Sequence, residues 1–481
     1  MAVTGSASYG DESPIAAFAT NPGSGALTLI RCSGKGSVNI ISSVFSYPDL
    51  ENASGNTIIH GWITANNEKI DEVLLSVFRA PKSYTGEDSF DISCHGGASA
   101  GKAVMAALKT AGFREALPGE FTFRAFMNGK IDLTKSESVM ELVCAKTDTS
   151  RRHAVLRLSG SLQKEVNEIK NLLVQVLASA EIYLDYSEDE VSAQDEDEIA
   201  GKLPNKDIAL QALERLKKLS ASWQLERIYQ EGITLVIAGP PNAGKSSLFN
   251  SLLKEDRSIV TEVPGTTRDW IEAFVSIEGI PVRLIDTAGL READDSVEKI
   301  GVERSRKILQ EADIVLYLIN EEEIKRYDID GIGAMYFNTW HQEDNYQEIP
   351  YIYIWNKCDI VPLPQPFPIE NIKPISVSAK TGEGLAELYS VIISMVSQQI
   401  AFFDDPSAAS DASLGTARQK KLVDASCSAL EEALALTESD SPLDLIAPLL
   451  REAVNLLGEI TGEVSTADIL EEMFSKFCVG K

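Results

Sequence analysis

The sequence predicts a multidomain chain of mixed α+β and α/β class: an N-terminal α/β domain, a helical domain in two pieces, and a second α/β domain inserted between those pieces. Three observations predict it. At 481 residues the chain is too long for one hydrophobic core. Short apolar strands alternate with turns up to about residue 125, and long stretches of three- and four-residue apolar spacing follow. Between about Glu231 and Gln399 that spacing gives way to apolar runs ending in glycine-rich or acidic motifs.

The N-terminal region offers Ala26–Arg31, His60–Ile63 and Glu72–Phe78 as strands and Gly101–Thr110 as a helix. Three polar patches lie among them: Ser83–Asp88, Ser93–Gly97 and Leu117–Arg124. Turn chemistry explains their glycines and prolines, and His95 has no sequence partner that makes it a catalytic base. From Leu133 to about Asp185 the pattern is helical, with Val155, Leu158, Leu162, Val166, Ile169, Leu172, Leu173 and Val176 on one spacing. A second helix is expected over Ile208–Tyr229, and two more over Leu414–Leu436 and Leu443–Leu457. These readings divide the chain at 1–128, 129–230, 231–399 and 400–481. The stretch Glu321–Gln347 interrupts the inserted domain and receives no function.

Inside the insertion, Ile233–Ala238 reads as a strand, Gly239-Pro-Pro-Asn-Ala-Gly-Lys-Ser246 as a phosphate-binding loop, and Ser247–Leu253 as the start of a helix. Backbone N–H groups and the helix N-terminus favour phosphate there. Lys245 is placed for the β- and γ-phosphates and the Ser246 hydroxyl for Mg²⁺. Asn242, Ala243, Gly244 and Ser247 complete that loop. The run Val282–Ile285 delivers Asp286-Thr287-Ala288-Gly289, an acid for the metal's water shell and an N–H for the γ-phosphate. Asn356-Lys357-Cys-Asp359 follows a third run, and Asp359 complements the ring N–H and exocyclic amine of guanine. A site built to satisfy such a pair discriminates by roughly 10⁴ against a base that lacks it. Ser378-Ala379-Lys380 closes over the base. Four motifs in order predict a Ras-like P-loop GTPase domain.

Leu290 follows Gly289, where Ras-like enzymes carry a water-orienting Gln. Arg291, Glu292 and Glu298 are nearby candidates for that task, each equally readable as a solvated loop charge. Thr261-Glu262-Val263-Pro264-Gly265-Thr266-Thr267 forms the first switch loop, with Thr267 placed for Mg²⁺ and the γ-phosphate. Asn242 has two readings: ligand of a monovalent cation beside the phosphates, or turn residue.

Composition sets the context. With 44 basic and 72 acidic residues the net charge is −28, which speaks against coating nucleic acid by bulk charge. The acidic run Glu188–Glu198 reads as a solvated linker or helix cap. Six scattered cysteines without a CxxC pair argue against disulfide and zinc frameworks, so a reducing cytoplasm is expected. No apolar run has membrane-spanning length, the start lacks the plan of a secretory signal, and Cys478-Val-Gly-Lys481 does not fit a prenylation signal.

The chain resembles the MnmE (TrmE) family of tRNA-modification GTPases nearly end to end. The resemblance rests on Ala19–Gly23, Tyr84–Asp88, His95-Gly-Gly97, Pro118–Thr122, Arg124–Lys130, the nucleotide motifs and Phe477-Cys-Val-Gly-Lys481. It implies a tetrahydrofolate-binding, dimerising N-terminal domain and GTP hydrolysis stimulated by K⁺ when two G domains dimerise. It implies K⁺ contacts from Asn242, Thr261, Val263 and Thr266, and a water-orienting Glu298. Arg31, Glu87, Lys130 and Lys481 match positions that contact 5-formyl-tetrahydrofolate, which fits a ligand with an anionic tail and a donor-bearing pterin ring. Cys478 matches a terminal cysteine implicated in the modification. The family works as a homodimer with the FAD-dependent flavoprotein MnmG (GidA). Together they modify C5 of the wobble uridine, position 34, of certain tRNAs with a one-carbon unit from methylene-tetrahydrofolate. Asn21 departs from the family's usual Pro, and Glu321–Gln347 is longer than typical. A ribosome-assembly GTPase is the rival reading, disfavoured because no appended basic RNA-binding module is recognisable. A purely structural GTP-binding scaffold would need neither Glu298 nor Asn242.

Overall fold

The computed structural model describes residues 8–21, 25–185, 203–240, 242–255, 271–286, 312–319, 349–367, 373–401, 412–463 and 467–480. The chain divides into two compact units. One comprises 1–143, 156–217 and 418–481, the other 144–155 and 218–417.

The first unit opens with strands β1 (Ile15–Phe18), β2 (Leu27–Ser33), β3 (Thr57–Ala65), β4 (Glu68–Phe78), β5 (Ser89–His95) and β6 (Arg114–Glu115). Their order across the sheet is β3-β4-β5-β2-β1-β6, antiparallel except for the parallel β1–β6 pair. Alternation sorts the side chains. Ile30, Leu75, Phe90 and Ile92 face a core shared with Val104 and Leu108 of helix Ala98–Ala111. On the opposite face Ile15 and Ala17 pack with Phe121 of helix Glu120–Met127. That second helix therefore lies over the β1 end of the sheet and leaves Leu27, Ile58 and Leu74 exposed.

The same unit contains helices Leu133–Cys144, Ser161–Asp185, Ala417–Glu438, Leu443–Thr461 and Ala467–Ser475. Leu162, Val166, Ile169, Leu173, Val176 and Ala180 are fully buried at alternating four- and three-residue spacing, the stripe an amphipathic helix presents to a partner. That helix packs against Leu443–Thr461, which buries Ile446, Leu450, Ala453, Leu457 and Ile460. A polar knot joins the two sequence-distant helical pieces. Glu137, 5 % exposed, accepts from Arg418 Nε and Nη2 at 2.8 and 2.9 Å and from Gln419 Nε2 at 2.6 Å.

In the second unit, strands β7 (Ile233–Ala238), β8 (Ile271–Ile277), β9 (Ile280–Asp286), β10 (Ile314–Ile319), β11 (Tyr351–Asn356) and β12 (Ile375–Val377) lie in the order β12-β11-β10-β7-β9-β8. All neighbours are parallel except β8 and β9. The central strands are apolar on both faces because helices Lys245–Glu255 and Leu385–Ala401 cover one side and a smaller cluster around Val236, Ile285 and Val315 fills the other. Among the described residues, no helix is long and apolar enough to cross a membrane.

Segment 144–155 packs within this unit against the β8–β9 hairpin. Lys146 Nζ sits 4.3 Å from the centre of the Phe274 ring. Burial and the neighbouring Arg283 guanidinium hold the Lys146 ammonium below its ordinary pKa. At the hairpin turn Gly279 has φ 86°, and a Cβ there would lie 2.3 Å from Thr149 Oγ1. Further along, His153 Nδ1 pairs with Glu226 Oε2 at 2.8 Å, and Ser413 Oγ donates to the same oxygen at 3.3 Å. One nearly buried carboxylate thus holds three separated stretches of chain. Gly279→Ala combines the left-handed strain with the Thr149 overlap, so it is expected to destabilise the unit by about 1–3 kcal/mol. Denaturant unfolding measures the loss, and Thr149→Ala added to it restores the steric part only.

Candidate guanine-nucleotide and N-terminal ligand sites

The phosphate loop leaves β7 at Ala238 and re-enters regular structure at Lys245, where the helix begins. The loop turns through left-handed backbone at Asn242 (φ 63°) and Gly244 (φ 93°). Lys245 is 8 % exposed, and its Nζ donates to the carbonyls of Gly239 and Pro240 at 3.0 and 2.9 Å. Its ammonium therefore lies over the loop, at the mouth formed by the helix N-terminus. Ser246 Oγ donates to Asp286 Oδ2 at 2.8 Å. Asp286 is fully buried at the end of β9, in register with Ile237 of β7. A hydroxyl and a buried carboxylate at the ends of adjacent parallel strands are oxygen donors of the kind a hard divalent cation takes.

Asn356, at the end of β11, connects the phosphate loop to the loops that follow β11 and β12. Its Nδ2 donates to the Ala243 carbonyl at 3.0 Å and the Gly244 carbonyl at 3.4 Å, and its Oδ1 accepts from the N–H groups of Lys357 (2.8 Å) and Ala379 (3.2 Å). Gly244 is required at this contact, because a Cβ there would meet Asn356 Nδ2 at 2.3 Å. Lys357 Nζ donates to the Asn242 carbonyl at 2.8 Å. Asp359 Oδ1 accepts from Ser378 Oγ at 2.7 Å, so the carboxylate is aimed by a fully buried hydroxyl. Burial and the carboxylates of Glu383 and Asp359 push the Cys358 thiol up, keeping it protonated at neutral pH. Lys380 is exposed, and Ser247 lies on the first turn of the phosphate-loop helix.

The structure thus brings together Asn242, Ala243, Gly244, Lys245, Ser246, Asp286, Asn356, Lys357, Asp359, Ser378 and Ala379. Thr261, Glu262, Val263, Pro264, Gly265, Thr266, Thr267, Thr287, Ala288, Gly289 and Glu298 lie outside the described residues.

A second constellation sits on the N-terminal sheet. Glu87 accepts from Ser33 Oγ at 2.8 Å and from Arg124 Nη1 at 3.2 and 3.3 Å. Arg124 is 5 % exposed and spends its other donors on Glu120 and on the Asp11 and Ser13 carbonyls. Arg31 pairs with Asp91 and lies over the Tyr84 ring, whose hydroxyl meets Thr122 Oγ1 at 3.0 Å. Lys130 is exposed and donates to the Pro81 carbonyl at 2.8 Å. Phe474 and Phe477 pack with Leu133, Phe123 and Phe126, and the Gly119 N–H donates to the Cys478 carbonyl at 3.2 Å. The Cys478 side chain is exposed, and Lys481 lies outside the described residues. His95 Nδ1 faces Asp71 Oδ1 at 2.6 Å, and the His95 backbone N–H donates to Oδ2 at 2.9 Å. Arg124, Asp91 and Tyr84 contact the residues singled out in the sequence, and sequence reasoning did not assign them roles. For Arg124 the available signal was its i,i+4 spacing from Glu120.

Two family models match the chain: the GTP-binding protein TrmE N-terminus over residues 14–130 and the MnmE helical domain over residues 133–478. The tRNA modification GTPase MnmE of Treponema denticola is 42 % identical over 99 % of both chains. The chain belongs to the MnmE family. Its MnmE relatives from Streptococcus thermophilus and Carboxydothermus hydrogenoformans are 40 % and 37 % identical, covering 97 % and 98 % of this chain and 98 % and 100 % of their own. The solved structure of an Era variant from Aquifex aeolicus, bound to GDP and AlF₄⁻, is 26 % identical over 34 % of this chain and 56 % of its own. The TM-score of that match is 0.24.

Removing the Asn356 side chain severs four hydrogen bonds that involve no phosphate oxygen. Asn356→Ala is expected to weaken GTP and GDP alike, by about ten- to a hundredfold, as measured by displacement of a fluorescent nucleotide. A loss confined to GTP would contradict this role.

Proposed function

We propose that this member of the MnmE family is a K⁺-stimulated GTP hydrolase that takes part in tRNA modification, activated when two G domains dimerise. The observation that carries the reading is the convergence of Lys245, the Ser246–Asp286 pair and the Asn356 clamp at the ends of β7, β9 and β11. Lys245 binds the phosphates and Asp359 reads guanine. Ser246 and Thr267 hold Mg²⁺, whose chemistry is to neutralise charge developing between the phosphates. Asn242, Thr261, Val263 and Thr266 hold K⁺, which serves in place of an arginine, and Glu298 orients the attacking water. Asn242 supports that assignment by its position: its carbonyl is fixed by Lys357, and its left-handed backbone sets it on the loop that would surround the phosphates.

On the same reading, 1–128 is the tetrahydrofolate-binding and dimerisation domain, 129–230 and 400–481 form the discontinuous helical domain, and 231–399 is the G domain. Arg31, Glu87, Lys130 and Lys481 bind 5-formyl- or methylene-tetrahydrofolate. Cys478, carried beside Gly119, serves the modification step. The homodimer acts with the flavoprotein MnmG, which brings FAD, on C5 of the wobble uridine of certain tRNAs, in the cytoplasm.

GTP turnover in K⁺ against Na⁺ at matched ionic strength tests the catalytic core of the proposal. A large K⁺ preference, abolished in Asn242→Ala, is expected. Equal rates in both salts would remove the cation from the mechanism and raise the ribosome-assembly reading. Glu298→Ala is expected to lower kcat with nucleotide affinity intact, and unchanged hydrolysis would leave the protein a GTP-binding scaffold.

A further inference from the structure

The N-terminal sheet holds several buried or half-buried guanidinium groups, and they differ in what remains of their donors. Arg124 is consumed by Glu87, Glu120 and two backbone carbonyls. Arg79 bonds Asp88 and the carbonyls of Ala53, Leu50 and Glu51. Arg114 bonds Asp11, Glu120 and the Glu115 carbonyl. Each of these joins carboxylate side chains to backbone carbonyls.

Arg31 is different. It stands opposite Asp91 in the β2–β5 register, and the two side chains share a sheet face. Asp91 takes only the lateral edge of the guanidinium: Nε donates to Oδ1 at 3.2 Å and Nη2 to Oδ2 at 3.4 Å. The Tyr84 ring lies 5.8 Å from Cζ, within cation–π range. Thr122 in turn fixes the Tyr84 hydroxyl. Guanidinium is planar with five N–H groups, so a carboxylate on the Nε–Nη2 edge leaves the terminal Nη1–Nη2 fork whole. Among the described residues, none accepts a hydrogen bond from Nη1. Arg31 and Asp91 retain 27 % and 19 % side-chain exposure, so the pair is not sealed from solvent.

We propose that Asp91 is a positioning residue: it holds Arg31 sideways, with Tyr84 beneath it, so that the terminal fork meets a ligand carboxylate end-on. This rests on the folate reading of the site, and the carboxylate is then that of the folate glutamate. A fork already oriented binds a carboxylate through two parallel charge-assisted bonds without ordering a long side chain afresh. Glu87 is locked onto Arg124 in a separate network of the same site, so the two ends of the ligand are read independently.

The test uses calorimetric titration of the full chain with 5-formyltetrahydrofolate and with the same molecule lacking its glutamate. For the wild type, removal of the glutamate should weaken binding about tenfold or more. In Asp91→Asn, which keeps the shape and removes the charge, the intact ligand should bind about tenfold more weakly and the truncated one as in wild type. The gap between ligands then collapses. Arg31→Gln should reproduce that collapse, while thermal midpoints stay at the wild-type value. Equal weakening of both ligands in Asp91→Asn would make Asp91 a support of the fold and overturn the proposal, as would wild-type binding. If the wild type binds neither molecule while it still hydrolyses GTP, the folate reading itself falls and takes this proposal with it.

Discussion

The nucleotide-binding unit depends on one carboxamide. Asn356 gives its two N–H groups to the phosphate loop and its oxygen to the backbone of both base-side loops. Three segments far apart in sequence converge on a group of three heavy atoms, and none can shift without leaving a buried donor or acceptor unpaired, at about 1–3 kcal/mol each. Gly244 follows from the same constraint, since only a residue without Cβ lets the amide approach. The parallel strands supply the scaffold: β7, β9 and β11 end at one edge, and Lys245, Asp286 and Asn356 sit where those strands or the following helix begin or stop. Ligand sites at the carboxyl ends of parallel strands are the general outcome of this topology.

Polar pairing plays a different part in the first unit. Glu137 is nearly buried, yet it collects a bidentate arginine and a glutamine from the helix that returns after the insertion. Desolvation offsets much of the Coulombic gain in such a pair. Its value lies in register: Arg418 also bonds the carbonyls of Glu459 and Ile460, so three helices are pinned at one height. The apolar stripes between these helices favour contact in general, and the charged knot selects one alignment from many.

What was legible in the sequence follows the physical range of each interaction. A loop that wraps an anion uses neighbouring backbone groups, so Gly239–Ser246 declares itself by spacing. The strand expected over Ile233–Ala238 is β7 residue for residue, because a strand covered on both faces is an unbroken apolar run. Periodicity gave less at boundaries. The helical pattern from Leu133 to about Asp185 is three helices, interrupted at 145–147 and 159–160. The N-terminal site was legible only in part. Arg31 depends on a carboxylate 60 residues away and Glu87 on a guanidinium 37 residues away, separations at which no local pattern links the partners. Likewise nothing in Thr149 announces that it abuts Gly279 of the β8–β9 hairpin.

The packing of Phe474 and Phe477 against Phe123, Phe126 and Leu133, with the Cys478 carbonyl on the Gly119 N–H, has a consequence for biosynthesis. Residues near position 120 leave the ribosome long before those near 477, and the whole nucleotide-binding unit is translated between them. The early domain therefore waits, with an apolar surface uncovered, until the late segment arrives to close it. Contacts of such long sequence separation form slowly, and partly assembled chains with exposed apolar surface are the ones that aggregate. A chain that has not yet reached Phe474 and Phe477 therefore lacks the apolar cover that they give to Phe123, Phe126 and Leu133.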